Sequence, residues 1–148
     1  MISIDANILL YSYSESSPFH KAAKSFLLNL SNREDVALSE FVLAEFYLLL
    51  RNPAVLVKPL DAASAVAVID AYRRHPSWKT LGFPPRNREL HDELWIHASG
   101  ENFARRRIYD ARTALSLIAF GVTEFATLNL KDFQEFGFDK VWNPLSNA

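Results

Sequence analysis

The sequence predicts an α/β protein, a three-layer sandwich whose central, mostly parallel sheet is flanked by helices. Two observations carry that expectation. Short strand-like apolar runs alternate with helical stretches along the 148 residues, which is the grammar of a parallel sheet. The intervals between those runs leave room for helical crossovers and not for hairpin turns. With 49% apolar and 22% charged residues, the chain can bury a core and is expected to form one domain over residues 1–148.

The elements follow in order. Ile2 to Ile4 alternates like a strand, and Asn7 to Tyr11 reads as the start of a helix, with Asp5 between them. In SPFHKAAKSFLLNL, Ser17 can cap a helix and Pro18 suits its first turn. Phe19, Ala22, Ala23, Phe26, Leu27 and Leu30 then share one face. A polar SNRED loop leads to VAL, a short strand, and Ser39 caps a helix over Glu40 to Leu50 that ends before Pro53. The next helix has Asp61 as cap, two arginines in its last turn and Pro76 beyond. WKTLGFPPRN is turn-rich with room for one short strand. Helices over about Glu89 to Ala98 and Phe103 to Phe120 follow, separated by Gly100 and stopped by Gly121. VTEFATL and DKVWNPL are the last strands.

Composition removes several classes of function. The chain has no cysteine, which excludes disulfides and thiolate metal sites and suits a reducing compartment. No basic, apolar leader and no membrane-length apolar run is present, so a cytoplasmic location without a membrane role is expected. The net charge of -1 announces no polyanionic partner. His91 and His97 lie six apart and do not form the zinc-helix spacing.

The acids are more informative. In open parallel sheets, ligands bind beyond the carboxyl ends of the strands. Asp5 lies at that end of the first strand, and Asn129 and Asp132 follow the VTEFATL strand. A lone aspartate at Asp5 serves equally well as a helix cap. Glu45 is the only charge in FVLAEFYLLL, so it either pairs with an arginine or faces a polar pocket. Asp110, in IYDARTALSLIAFG, borders an apolar stripe and also complements a helix N-terminus. If these carboxylates converge, their repulsion calls for a counterion. An oxygen-only set favours a hard cation, Mg2+ or Mn2+, of the kind that promotes hydrolysis of phosphate esters.

Asp5-Ala6-Asn7 after the first strand, Ser39 followed by Glu45 on an apolar helix, and RRIYDARTAL together resemble the PIN-domain nucleases. FATLNLKDF followed by GFDKVWNPL is similar to their VapC-type toxin branch, and the resemblance runs from Met1 to about Leu145. It implies a metal-dependent endoribonuclease acting as the toxin of a toxin–antitoxin pair. Carried over, Asp5, Glu45 and Asp110 become ligands of Mg2+ or Mn2+, Asn7 orients Asp5, and Thr127 supports the site by hydrogen bonding. Many relatives have an acid where Asn129 stands, so either Asn129 or Asp132 fills the fourth catalytic position, and one or two ions remain open.

Set aside those four acids, and Lys and Arg outnumber the remaining carboxylates. Arg105, Arg106, Arg107 and Arg112 flank Asp110, where they can hold RNA phosphates without reading sequence. They serve equally as a solvated helix face or as a contact for an antitoxin's acidic tail. No aromatic–basic pattern of an RNA-recognition module is visible. FVLAEFYLLL is apolar enough to imply a homodimer. The rivals are a PIN-like module that binds without cutting and an aspartyl-phosphate phosphatase. The phosphatase needs an aspartate where this chain has Asn7.

Overall fold

The computed structural model describes residues 1–146. Its elements are β1 (Ile2–Ile4), α1 (Ala6–Tyr13), α2 (His20–Leu30), β2 (Ala37–Ser39), α3 (Glu40–Leu50), α4 (Ala62–Arg73), β3 (Lys79–Leu81), α5 (Asn87–Ala98), α6 (Arg107–Ala119), β4 (Glu124–Ala126), α7 (Leu130–Phe133) and β5 (Lys140–Trp142). Every paired strand is parallel: β1 with β4, β4 with β5, and β2 with β3. A single parallel bridge from Ile2 to Val36 joins the two groups. The spatial order is therefore β3-β2-β1-β4-β5.

Period-two alternation along the strands sorts side chains into two cores. Ile2, Ile4 and Ala126 face a cluster built with α1, α2 and α3, including Leu9, Leu27, Phe46 and Leu50. Phe125, between Glu124 and Ala126, faces the opposite cluster with Leu94 from α5, Leu115 from α6 and Phe133 from α7. The sheet is the middle of three layers. All five strands thus run the same way, and the loops after β1, β3 and β4 emerge at one edge.

The caps act locally. Ser39 accepts a hydrogen bond from the Phe41 backbone N–H at 3.0 Å, and Asp61 accepts one from Ser64 at 2.7 Å. Ser39 is 1% exposed, so Ser39→Ala leaves a part-buried helix N–H without its partner. That variant is expected to lose about 1 kcal/mol, read as a lower urea midpoint at unchanged slope. Gly121 follows α6 with φ of 89°, a conformation costly for any other residue, and it turns the chain back into β4.

Two helix starts differ from the sequence expectation. The oxygen of the Ser17 side chain accepts from Phe19 N–H at 3.1 Å, and its carbonyl accepts from His20 N–H at 3.1 Å. Ser17 to Phe19 therefore form a turn, and α2 begins at His20 with no side-chain cap. The second difference matters more: α6 begins at Arg107, not Phe103, so Arg105 and Arg106 lie in the approach to the helix. The turn-rich segment after α4 does hold a strand, β3, paired with β2.

Candidate active site

Asp5 occupies the junction of β1 and α1 and is 5% exposed. As N-cap it takes the Ala6 backbone N–H on Oδ1 at 2.8 Å. Its other oxygen, Oδ2, accepts from the Thr127 hydroxyl at 2.6 Å, and Thr127 Oγ1 in turn accepts from Asn129 N–H at 3.0 Å. Thr127 stands just past β4, the strand paired with β1, so parallel pairing itself brings the two side chains together. The result is one carboxylate locked in orientation at the carboxyl edge of the sheet. Capping and orientation are compatible roles for the same residue. Burial nonetheless pushes the Asp5 carboxyl above the ordinary aspartate range, against the lowering effect of those two hydrogen bonds, with the Asp132 charge adding to the rise.

Three more acids act on this group or on one another. Glu45 projects from α3 and is pushed up to about 7, first by desolvation and then by the charges of Asp5 and Asp110. Its outer surface is open to solvent. Asp110, in the first turn of α6, is pushed up to about 6 by desolvation and by Asp5 and Asp132, with Arg107 opposing. The four carboxylates therefore share one electrostatic neighbourhood. Glu45 and Asp110 line an open cleft of about 590 Å³ with Phe41, Arg106, Tyr109 and Arg112. A slightly larger concavity of about 630 Å³ against α2, bordered by Pro18, Phe19 and Phe26, contains no carboxylate.

The donor set is all oxygen and strongly anionic, which fits a hard divalent cation. Among the described residues no three acidic or histidine side chains already close into a chelate. Mg2+ does not need one, since it is held through one or two carboxylates and keeps several waters. Repulsion between like charges also spreads carboxylates that share no ion. On donor chemistry and charge, the residues fit the group.

The remaining expected residues are placed as follows. Asn129 lies at the N-terminus of α7, exposed, with no side-chain cap hydrogen bond. Asp132, one turn further along, is the acid whose charge reaches Asp5 and Asp110. Asn7 makes no hydrogen bond to Asp5; its Oδ1 is buried without a partner. The orientation expected from Asn7 comes instead from Ala6 and Thr127.

Arg107 is corrected as a free phosphate contact. Its guanidinium lies 3.6 Å from Asp132 and also pairs with Glu135, donates to the Asp132 carbonyl at 3.2 Å, and sits over Phe103 and Phe136. It ties α6 to α7 and holds Asp132 in place. Arg86 and Arg88 pair with Glu89 and Asp92 within or beside α5. Arg105, Arg106 and Arg112 have no ion pair among the described residues.

Removing the Thr127 hydroxyl is the sharpest test of the Asp5 geometry. Thr127→Val should cost about 1 kcal/mol of stability and weaken Mn2+ binding by roughly tenfold or more, since it removes the partner that orients a ligand. Thr127→Ser should restore both. Calorimetric titration with Mn2+ of the three proteins reads the result.

A parallel sheet whose carboxyl edge gathers four acids defines a class, and its membership is now identifiable. Residues 2–138 match the family model described as the PIN domain, and the chain belongs to that family. Among individual proteins, it is 45% identical over 147 residues to Ribonuclease VapC24 of Mycobacterium tuberculosis, covering 99% of both chains. The fold is shared with the Mycobacterium tuberculosis toxin VapC20, described as cleaving the sarcin–ricin loop (TM-score 0.68, 19% identity, 93% of this chain and 96% of that one). It is shared also with VapBC2 of Rickettsia felis, solved bound to a promoter DNA fragment (TM-score 0.65, 19% identity, 97% of this chain and 98% of that one). No helix among the described residues is long and apolar enough to cross a membrane.

Proposed function

We propose that this protein is a divalent-metal-dependent endoribonuclease, the toxin of a type II toxin–antitoxin pair, acting as a single domain in the cytoplasm. The observation that carries the reading is the mutual charge of Asp5, Glu45, Asp110 and Asp132 at one edge of a PIN-domain sheet. Full-length kinship with a protein named as a ribonuclease supports the reaction type.

Asp5, Glu45 and Asp110 would hold Mg2+ or Mn2+. Such an ion, when bound, supplies an activated water and neutralises charge on the phosphodiester under attack. The chain's own contribution is placement. Thr127 and the Ala6 N–H fix the Asp5 oxygens, and Arg107 keeps Asp132 near the site. Arg106 and Arg112, in the same cleft, draw the phosphate backbone towards the acids. Asp132 rather than Asn129 supplies the fourth carboxylate.

A partner antitoxin and a twofold copy belong to this reading. The fold shared with VapBC2, and the 45% identity to a protein named VapC24, support an antitoxin. Leu48 on α3 and Val66 on α4, 67% and 48% exposed, support an apolar pairing surface.

The test is cleavage of total cellular RNA by purified protein with Mg2+ or Mn2+, with and without chelator. Discrete fragments that vanish with chelator are expected. Unchanged RNA, with Mn2+ still raising the melting temperature, would instead assign the chain a binding role.

A further inference from the structure

The cleft beside the acids has an aromatic wall, of which the catalytic reading uses only Arg112. Tyr109 precedes Asp110 and is 67% exposed. The Arg112 guanidinium lies 4.7 Å from the Phe41 ring centroid and 5.4 Å from that of Tyr109. Phe83, in the loop after β3 and 71% exposed, meets Phe41 edge-on at 5.1 Å between centroids. Large aromatics this exposed gain little from the core. Two rings over a cation with no ion pair among the described residues, with Arg112 Nε buried and lacking a hydrogen-bond partner and Phe83 packed on Phe41 beside them, make a surface that is both apolar and positive.

We propose that Phe41, Phe83, Tyr109 and Arg112 form a nucleobase-stacking subsite that seats an unpaired base next to the phosphate at the carboxylates. The inference rests on the ribonuclease reading and adds to it the residues of this chain that hold the base. Every base has a π-face, so aromatic stacking is tolerant of sequence, and a guanidinium plane stacks in the same way. Bases inside an A-form helix already stack on each other and cannot reach such a wall. RNA is favoured over a protein segment because Phe41, Tyr109 and Arg112 line one cleft with the acids Glu45 and Asp110, and Phe83 packs on Phe41 beside it. A base seated there carries its phosphate straight to the acids. The three rings come from α3, the β3 loop and α6, so no local run of sequence announces them.

The test measures binding in chelator, where no strand is cut. Fluorescence anisotropy is recorded with three labelled probes of about 12 nucleotides: a mixed-sequence single-stranded RNA, an abasic strand of equal length, and a duplex. The proteins are wild type, Tyr109→Ala, Tyr109→Phe and Phe83→Ala, each checked for an unchanged melting temperature. Wild type should prefer the base-bearing single strand. Tyr109→Ala and Phe83→Ala should each lose roughly tenfold on it and nothing on the abasic strand, while Tyr109→Phe binds like wild type. Equal affinity of wild type and both alanine variants for the base-bearing strand overturns the subsite and leaves metal-dependent cleavage standing. Equal loss on the abasic strand overturns it as well, by making the wall a phosphate contact. Loss of a partner protein's binding with RNA affinity unchanged also overturns it and makes the wall a protein-docking surface.

Discussion

Asp5→Asn is expected to abolish RNA cleavage while leaving the fold intact. The substitution keeps the shape of the side chain and removes the one acid of the sheet-edge cluster whose two oxygens are both fixed, by Ala6 at 2.8 Å and Thr127 at 2.6 Å. The asparagine carbonyl can still accept from Ala6, and its amide can donate to Thr127 Oγ1. Burial disfavours the charge that is removed, so the metal-free variant should melt no lower than wild type at neutral pH. Losing a group that only hydrogen-bonds a ligand already costs a metal site about 10- to 100-fold, so loss of a ligand should cut activity by at least about 100-fold. Fragment yield from total RNA, set beside the thermal melt of the same preparation, separates the two effects. A variant that cuts at the wild-type rate would remove Asp5 from the site.

The second large effect is an inversion of pH dependence by metal. Glu45 and Asp110 are held up to about 7 and about 6 in the folded chain, against ordinary values near 4.3 and 3.9. The native state thus binds more protons than the unfolded state between roughly pH 4 and 7. Their contribution to stability is therefore fully present below the unfolded values and is lost as pH rises through the folded ones. Without metal, the melting temperature should fall from pH 5 to pH 8 by an amount on the order of 3 °C. With Mn2+ the slope should reverse, because metal and proton compete for the same oxygens and uptake is strongest once both acids are ionised. Asp110→Asn should flatten the metal-free slope, raise the melting temperature above pH 7, and lose most of the response to Mn2+. A variant with the wild-type Mn2+ response would show that Asp110 is not a ligand.

Much of the fold was legible because local chemistry and tertiary packing agree in this chain. Ser39 and Asp61 look like caps in sequence and cap in the structure. The bounds of α3 are those its apolar run and cap imply, and the alternation of strands and helices produced an all-parallel sheet. Where the reading failed, a local turn decided one helix start and a longer-range partner the other. Ser17 and Pro18 have the chemistry of a helix start, yet the chain spends them on a turn before α2. ARRR reads as a helix continuing into Asp110, but Arg107 is drawn onto Asp132, Glu135 and two aromatic rings, and the helix begins there.

The site divided along the same line. That acids follow β1 and β4 could be read from spacing, because parallel strands send their carboxyl ends to one edge. The Thr127 contact with Asp5 spans 122 positions, so it entered only through family resemblance. The role of Asn7 was expected on that basis too, and Ala6 and Thr127 perform it instead. The aromatic wall was invisible, because Phe41, Phe83 and Tyr109 are far apart in sequence and none is unusual where it stands.

On the proposed reading, the carboxylates at the sheet edge bind a divalent ion through Asp5. Free Mn2+, followed by its electron paramagnetic resonance signal during titration with metal-free protein at pH 7.5, tests it without reference to RNA. Wild type should take up Mn2+ with release of protons, and Asp5→Asn and Asp110→Asn should each leave the signal almost undiminished. Equal uptake by wild type and both variants would place the ion elsewhere and contradict the claim.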